Sequence, residues 1–329
     1  MKKMIMTMGL AAMAVSNVSV ADDTIKIGVA VYGLQGEFMQ LWSKAAKNHP
    51  MVKSGDVELT IFDGRYDALV QENQFDTMIT RQFDAIIFVP VDANACASAV
   101  SKAAEAGIPV IGSNTRCNTE QLASFVGSND VKAGEMVANN VLDKIDHKGK
   151  VVILEGPIGQ SAQIDRFEGI KHVLDSNDDV KVVGQRTANW SRAEALALME
   201  NWLISHQASL KGVIAENDEM ALGAIEAIKN SGLDVNSIVV AGVDGITDAL
   251  KAVKKNEMET VLQDAEAQAQ GAVDVALRHV VKGKYAPQSK IWENYKSELD
   301  WNDGMSAQYN IPWTPVTTAN VDKLLSARQ

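Results

Sequence analysis

Polar side chains able to trade hydrogen bonds with hydroxyl groups recur along this chain at one kind of position, just after short apolar runs. Arg166 carries a planar guanidinium whose several donors can bind two vicinal oxygens at once. Asn217 and Gln263 each offer a donor and an acceptor, and Asp244, in Val243-Asp244-Gly245, can accept two hydroxyl hydrogens. Ser113-Asn114-Thr115-Arg116 adds a polar cluster of the same placement. Trp190, just before a helical stretch, can cover the weakly polar C–H face of a carbohydrate, and Phe38 can stack on a ligand. Such a set can hold a neutral polyhydroxyl compound. Every member also has a plainer role open to it: a salt bridge for Arg166, packing for Trp190 and Phe38, a turn for Asp244, solvent exposure for Gln263. Asp63 and Asp92 read as turn or helix-capping residues, and Asp218 as the cap of the helix that follows it.

Other chemistries find little material. There is no G-x-S-x-G nucleophile elbow, and Gly156-Pro157-Ile158-Gly159-Gln160 lacks the lysine of a phosphate loop, so a turn leading into a helix is its better reading. Five histidines and two cysteines make a poor stock for a clustered metal site, and no metal or nucleotide cofactor is expected. A formal net charge of −11 disfavours nonspecific contact with nucleic acid. Cys96 and Cys117 would close a loop of roughly 20 residues, either as a disulfide or as two separately packed thiols.

The elements that must position these groups alternate. Apolar strand candidates at Ile25–Val31, Val57–Phe62, Ala85–Val89 and Ile108–Ile111 are separated by helical stretches around Phe38–Lys47, Leu69–Arg81 and Ala93–Glu105. The rhythm restarts beyond Gly127-Ser128-Asn129-Asp130, with strands at Lys150–Leu154, Val180–Gly184, Leu210–Ala215, Ile238–Ala241 and Thr260–Leu262. Successive βαβ crossovers follow, and 329 residues divide more naturally into two α/β lobes than into one wide sheet. The cleft between such lobes, facing the carboxyl ends of the strands, is where a small ligand belongs. At the start, Lys2-Lys3, the apolar run Met4–Val15 and Ser19-Val20-Ala21 have the form of an export leader over residues 1–21. The run is short for a membrane span, although an uncleaved anchor is the alternative.

The segments Ala215-Glu216-Asn217-Asp218-Glu219-Met220-Ala221-Leu222-Gly223-Ala224 and Val239-Val240-Ala241-Gly242-Val243-Asp244-Gly245, with Asp165-Arg166 and Ala188-Asn189-Trp190 at matching intervals, resemble periplasmic sugar-binding proteins of the ribose/galactose type. The resemblance runs from about Thr24 through Lys296. It implies a type I periplasmic binding protein fold, two Rossmann-like lobes with parallel-rich sheets joined by a three-segment hinge. It further implies a non-catalytic protein of the periplasm that captures a monosaccharide or sugar alcohol for the membrane permease of an ABC importer. A role with a membrane sensor is one alternative, and an extracytoplasmic enzyme a more distant one.

By the same resemblance the ligand contacts are Phe38, Tyr32, Trp190, Arg166, Asn217, Asp244 and Gln263. Asn114 and Thr115 stand where the family has an Asp-Arg pair, a departure that weakens assignment to ribose and leaves room for another pentose, a hexose or an open-chain polyol. The implied lobes are 24–128 with 264–292, and 129–263 with 293–329. Crossings are expected near Ser128-Asn129, Gln263-Asp264 and Glu293, and Trp301, Tyr309 and Trp313 are expected to pack on the second lobe. Cys96 and Cys117 fall at the ends of adjacent strands in this topology, which favours the disulfide.

Overall fold

A computed structural model describes residues 24–281 and 283–328; the expected export segment 1–21 lies outside them. Two six-stranded sheets form the two lobes. The first holds β1 (Ile25–Val31), β2 (Val57–Asp63), β3 (Ala85–Val89), β4 (Val110–Ser113) and β5 (Ser124–Gly127), and the second β6 (Gly149–Glu155), β7 (Val180–Thr187), β8 (Leu210–Ala215), β9 (Val239–Asp244) and β10 (Glu259–Leu262). Two late strands complete them: β11 (Gln308–Asn310) pairs parallel with β5, and β12 (Thr314–Pro315) pairs antiparallel with β10. The orders are β11-β5-β4-β3-β1-β2 and β12-β10-β9-β8-β6-β7, parallel apart from β12.

Helices cover both faces of each sheet, which is why the inner strands lose the alternation of a half-exposed strand. All five residues of β3, Ala-Ile-Ile-Phe-Val, are buried. In the first lobe lie α1 (Glu37–Lys47), α2 (Pro50–Ser54), α3 (Ala68–Thr80) and α4 (Cys96–Glu105). The second carries α5 (Asp130–Leu142), α6 (Ser161–Leu174), α7 (Arg192–His206), α8 (Asp218–Asn230) and α9 (Thr247–Lys254). The long α10 (Ala265–Val280) returns to the first lobe, packing on α1, β3, β4 and β5. Short α11 (Ile291–Asn294) and α12 (Val321–Ser326) follow. At the carboxyl edge of β3 and β4, Cys96 and Cys117 are joined by a disulfide.

One expectation fails over residues 293–310, which belong to the first lobe. Trp301 stacks edge-on against Trp292 and faces Tyr285, Tyr309 packs against both tryptophans, and β11 extends the sheet beside β5. The crossing expected near Glu293 therefore lies at 311–313, between β11 and β12. Beneath this aromatic cluster the buried Asp274 of α10 accepts hydrogen bonds from Tyr285, Gln288, Ser289 and Trp292 and from the His49 ring. Met51 N–H donates to His49 Nδ1, so it is Nε2 of that ring that carries hydrogen toward Asp274. The carboxylate is held below its ordinary range because these donors outweigh the cost of burying it.

Candidate functional site

The carboxyl ends of the two sheets face each other across a narrow cavity, lined in part by the side chains of Tyr32, Phe38, Asn114, Arg166, Trp190, Asn217, Asp244 and Gln263. Six of the eight stand at the ends of six different strands and two, Phe38 and Arg166, stand on helices, so the parallel topology of the two sheets assembles most of them. On the first lobe, Tyr32 follows β1, beside Tyr66 at 5.4 Å between ring centroids, and Phe38 stands in the first turn of α1. Asn114 follows β4 with φ of 59°, left-handed backbone that asparagine tolerates better than most residues. Its Nδ2 donates to Gln263 Oε1 and Gln268 Oε1, each at 3.3 Å. Thr115 beside it donates its hydroxyl to Pro90 O and also lines the cavity.

Arg166 is the centre of the second wall. It projects from α6, and its Nε donates to Asp130 Oδ1 at 2.9 Å, its Nη1 to Glu216 O at 2.6 Å and its Nη2 to Gln263 Oε1 at 3.5 Å. Asp244 Oδ1 stands 3.6 Å from Nη1. Burial works against the guanidinium charge, but Asp130 and Asp244 more than offset it, so the group is held firmly cationic. The plane of Arg166 also lies over Trp190, 5.6 Å from the ring centroid. Trp190 is fixed in turn by donating Nε1–H to Gln160 Oε1 at 2.6 Å, and its ring rests on Gly156, where a Cβ would come within 2.1 Å of it.

Two buried groups on this wall keep unspent hydrogen-bonding capacity. Among the described residues nothing hydrogen-bonds the Asp244 carboxylate, and burial pushes it well above the usual carboxylate range against the pull of Arg166. Gln263 accepts through Oε1 while its Nε2 is buried without a partner. Asp244 ends β9 at φ of 125°, just before Gly245, a strained conformation of the sort found at ligand clamps. Asp218 supports it from behind, accepting from Ile246 N at 3.0 Å and Thr260 Oγ1 at 2.6 Å; burial raises that carboxyl to about 7. The cap of α8 is therefore Asn217, which accepts from Met220 N at 2.9 Å, and not Asp218 as expected. Asn217 keeps its Nδ2 donor for the cavity. Asp63 and Asp92 accept backbone N–H groups two or three residues on and take no part in the cavity lining.

The lobes touch on both rims. On one side Ala93 N–H donates to Gly159 O at 2.9 Å and Arg116 N–H to Ser161 Oγ at 2.6 Å. On the other Thr247 N–H donates to Glu37 Oε1 at 3.1 Å and Glu37 N–H to Glu219 Oε1 at 3.4 Å.

A periplasmic binding protein domain matches residues 27–284, most of the described chain. The chain belongs to the periplasmic binding protein family. A xylitol-binding protein of Mycolicibacterium smegmatis is 36% identical over 278 residues, 84% of this chain and 78% of that protein. A putative rhizopine-binding protein of Rhizobium meliloti is 36% identical over 299 residues, covering 89% of this chain and 94% of the relative. An ABC transporter solute-binding protein of Bacillus halodurans C-125, solved with bound myo-inositol, superimposes with a TM-score of 0.81 at 32% identity, over 92% of this chain and 98% of that one.

In this periplasmic binding protein, Asp130 and Glu216 complete the surroundings of Arg166 without a local signal in the sequence. Asp130 follows the N-cap Asn129 in the first turn of α5, where an acidic residue is ordinary, so nothing local marks it as the partner of Arg166. Glu216 has an exposure of 0%: its Oε2 accepts Gly156 N–H at 2.7 Å and its Oε1 has no partner. Burial, reinforced by Glu155 and Asp130 and opposed by the Gly156 N–H and Arg166, pushes this carboxyl well above its ordinary range.

Proposed function

We propose that the protein captures one neutral monosaccharide or sugar alcohol in the interlobe cavity, in the periplasm, and delivers it unchanged to the membrane permease of an ABC importer. The observation that carries the reading is the pair of unspent groups, the Asp244 carboxylate and the Gln263 amide, beside Arg166 and the aromatic Trp190. Hydroxyls need such dense matching, because water otherwise satisfies them equally well.

Asn114 and Thr115 leave the first-lobe wall without a formal charge, so Arg166 and Asp244 supply the charged contacts from one side. That composition, together with relatives named for xylitol and solved with myo-inositol, favours a polyol or a sugar other than ribose. Binding is reversible, with no metal or nucleotide required and no covalent step. Recognition by a membrane sensor would read the same ligand-bound form. Calorimetry on protein stripped of ligand by unfolding and refolding, with myo-inositol, xylitol, D-ribose and D-galactose in turn, tests this. One-to-one binding that survives chelation is expected; turnover of a sugar by the isolated protein would overturn the reading.

A further inference from the structure

We propose that Trp313, from the C-terminal segment, is a positioning residue for ligand capture, fixing Arg166 from outside the cavity and tying it to two of the three interlobe crossings. The inference rests on the reading of Arg166 as a ligand contact. Trp313 is not among the residues lining the cavity, so any influence on a ligand must pass through another side chain. Its ring centroid lies 5.6 Å from the Arg166 guanidinium carbon, the same distance as that of Trp190. Hydrogen bonds to Asp130 and Glu216 O hold the guanidinium within its own plane, and aromatic contacts restrict its tilt.

The same tryptophan is anchored at the hinge. Its Nε1–H donates to Asn129 O at 2.7 Å, and two residues earlier Ile311 N–H donates to Gly127 O at 2.7 Å. Gly127 and Asn129 flank the first crossing, while 311–313 is the third, between β11 of one sheet and β12 of the other. Asn129 immediately precedes Asp130, the ion-pair partner of Arg166. Rotation of the lobes about these crossings must therefore disturb the contacts of Arg166. Reciprocally, a ligand that holds Arg166 in place stabilises the arrangement of the crossings.

Trp313→Leu and Trp313→Phe separate the aromatic contact from packing volume. Two readouts are needed: solvent exchange of the Arg166 Nε–H, followed by NMR in the ligand-free protein, and calorimetric affinity for myo-inositol, xylitol and D-ribose. Trp313→Leu is expected to speed that exchange about tenfold and to weaken whichever probe the wild type binds about tenfold, within the range of a partly desolvated cation–aromatic contact. Trp313→Phe should keep both within about threefold of wild type. Unchanged exchange in the Leu variant, or a Phe variant as impaired as the Leu variant, overturns the proposal. Should the Leu variant not fold, the Phe variant decides alone: protection of the Arg166 Nε–H retained supports the proposal, and protection lost refutes it. If none of the three probes binds the wild type, the ligand reading fails for those compounds while the exchange rates still decide the role of Trp313.

Discussion

Arg166 and Asp130 meet at 2.9 Å between Nε and Oδ1, with side-chain exposures of 4% and 3%. The pair leaves the outer edge of the guanidinium free to face Asp244 and Gln263, so Asp130 orients Arg166 without lining the cavity. Removing one partner of a buried pair strands the other charge. Asp130→Ala should cost about 3–5 kcal/mol of stability and weaken ligand binding as well. Asp130→Asn, which retains an acceptor, should lose less of both. Urea unfolding and calorimetry on the same preparations check this, and an unchanged urea midpoint for the Ala variant would contradict it.

Asp244 is predicted to matter for affinity and little for folding, because among the described residues no hydrogen bond to its carboxylate is lost on substitution. Loss of a buried, charged acceptor from a ligand hydroxyl should cost about 2–5 kcal/mol of binding free energy. Asp244→Asn is the cleaner variant, since asparagine keeps the shape of the side chain at this strained position and removes only the carboxylate. Near-native affinity with an intact circular dichroism spectrum would remove Asp244 from the binding set.

Glu216 should leave a trace in the pH dependence of stability. Its folded-state pKa is raised, chiefly by burial, so above an unfolded value of about 4.3 the folded form binds more protons than the unfolded one. Stability from this group is thus fully present at low pH and lost as pH rises toward the folded pKa. Glu216→Gln keeps an acceptor for Gly156 N–H and removes the titration. The variant should gain on wild type progressively from pH 5 to pH 8 in urea unfolding. Asp218 and Asp244, raised in the same direction, remain in both proteins and drop out of the difference. Parallel curves would mean that Glu216 is ionised in the fold.

The disulfide closes a span of 21 residues between Cys96 and Cys117. Constraint of the unfolded chain over such a loop is worth about 3 kcal/mol. Unfolding of the Cys96→Ser, Cys117→Ser double variant should occur at correspondingly lower urea, and reductant should shift the wild type the same way while leaving the variant unmoved.

Strand ends were legible in the sequence because the inner strands are short apolar runs bounded by polar residues, as at β3 and β9, and the residues that follow them converge by topology alone. The helix α10 was not read as an element, for a physical reason: most of its residues are buried, so it lacks the apolar stripe that marks a surface helix. The three residues of β11 are too few to show a period, and the placement of 293–310 depended on Trp292, Trp301 and Tyr309 finding one another across the chain. Asn217 and Asp218 could not be told apart as caps because both residue types serve that role. Asp130 and Trp313 both meet Arg166, from 36 residues away and from the C-terminal segment respectively, which no local spacing reveals.

The central claim is that a neutral sugar or polyol is held unchanged between the lobes. Mass spectrometry of the small molecule released by denaturation, from protein isolated from the periplasm of cells grown on mixed sugars and polyols, tests it most directly. A single uncharged monosaccharide or sugar alcohol at one per chain is expected. Release of a sugar acid, a phosphorylated compound or a nucleotide would contradict it.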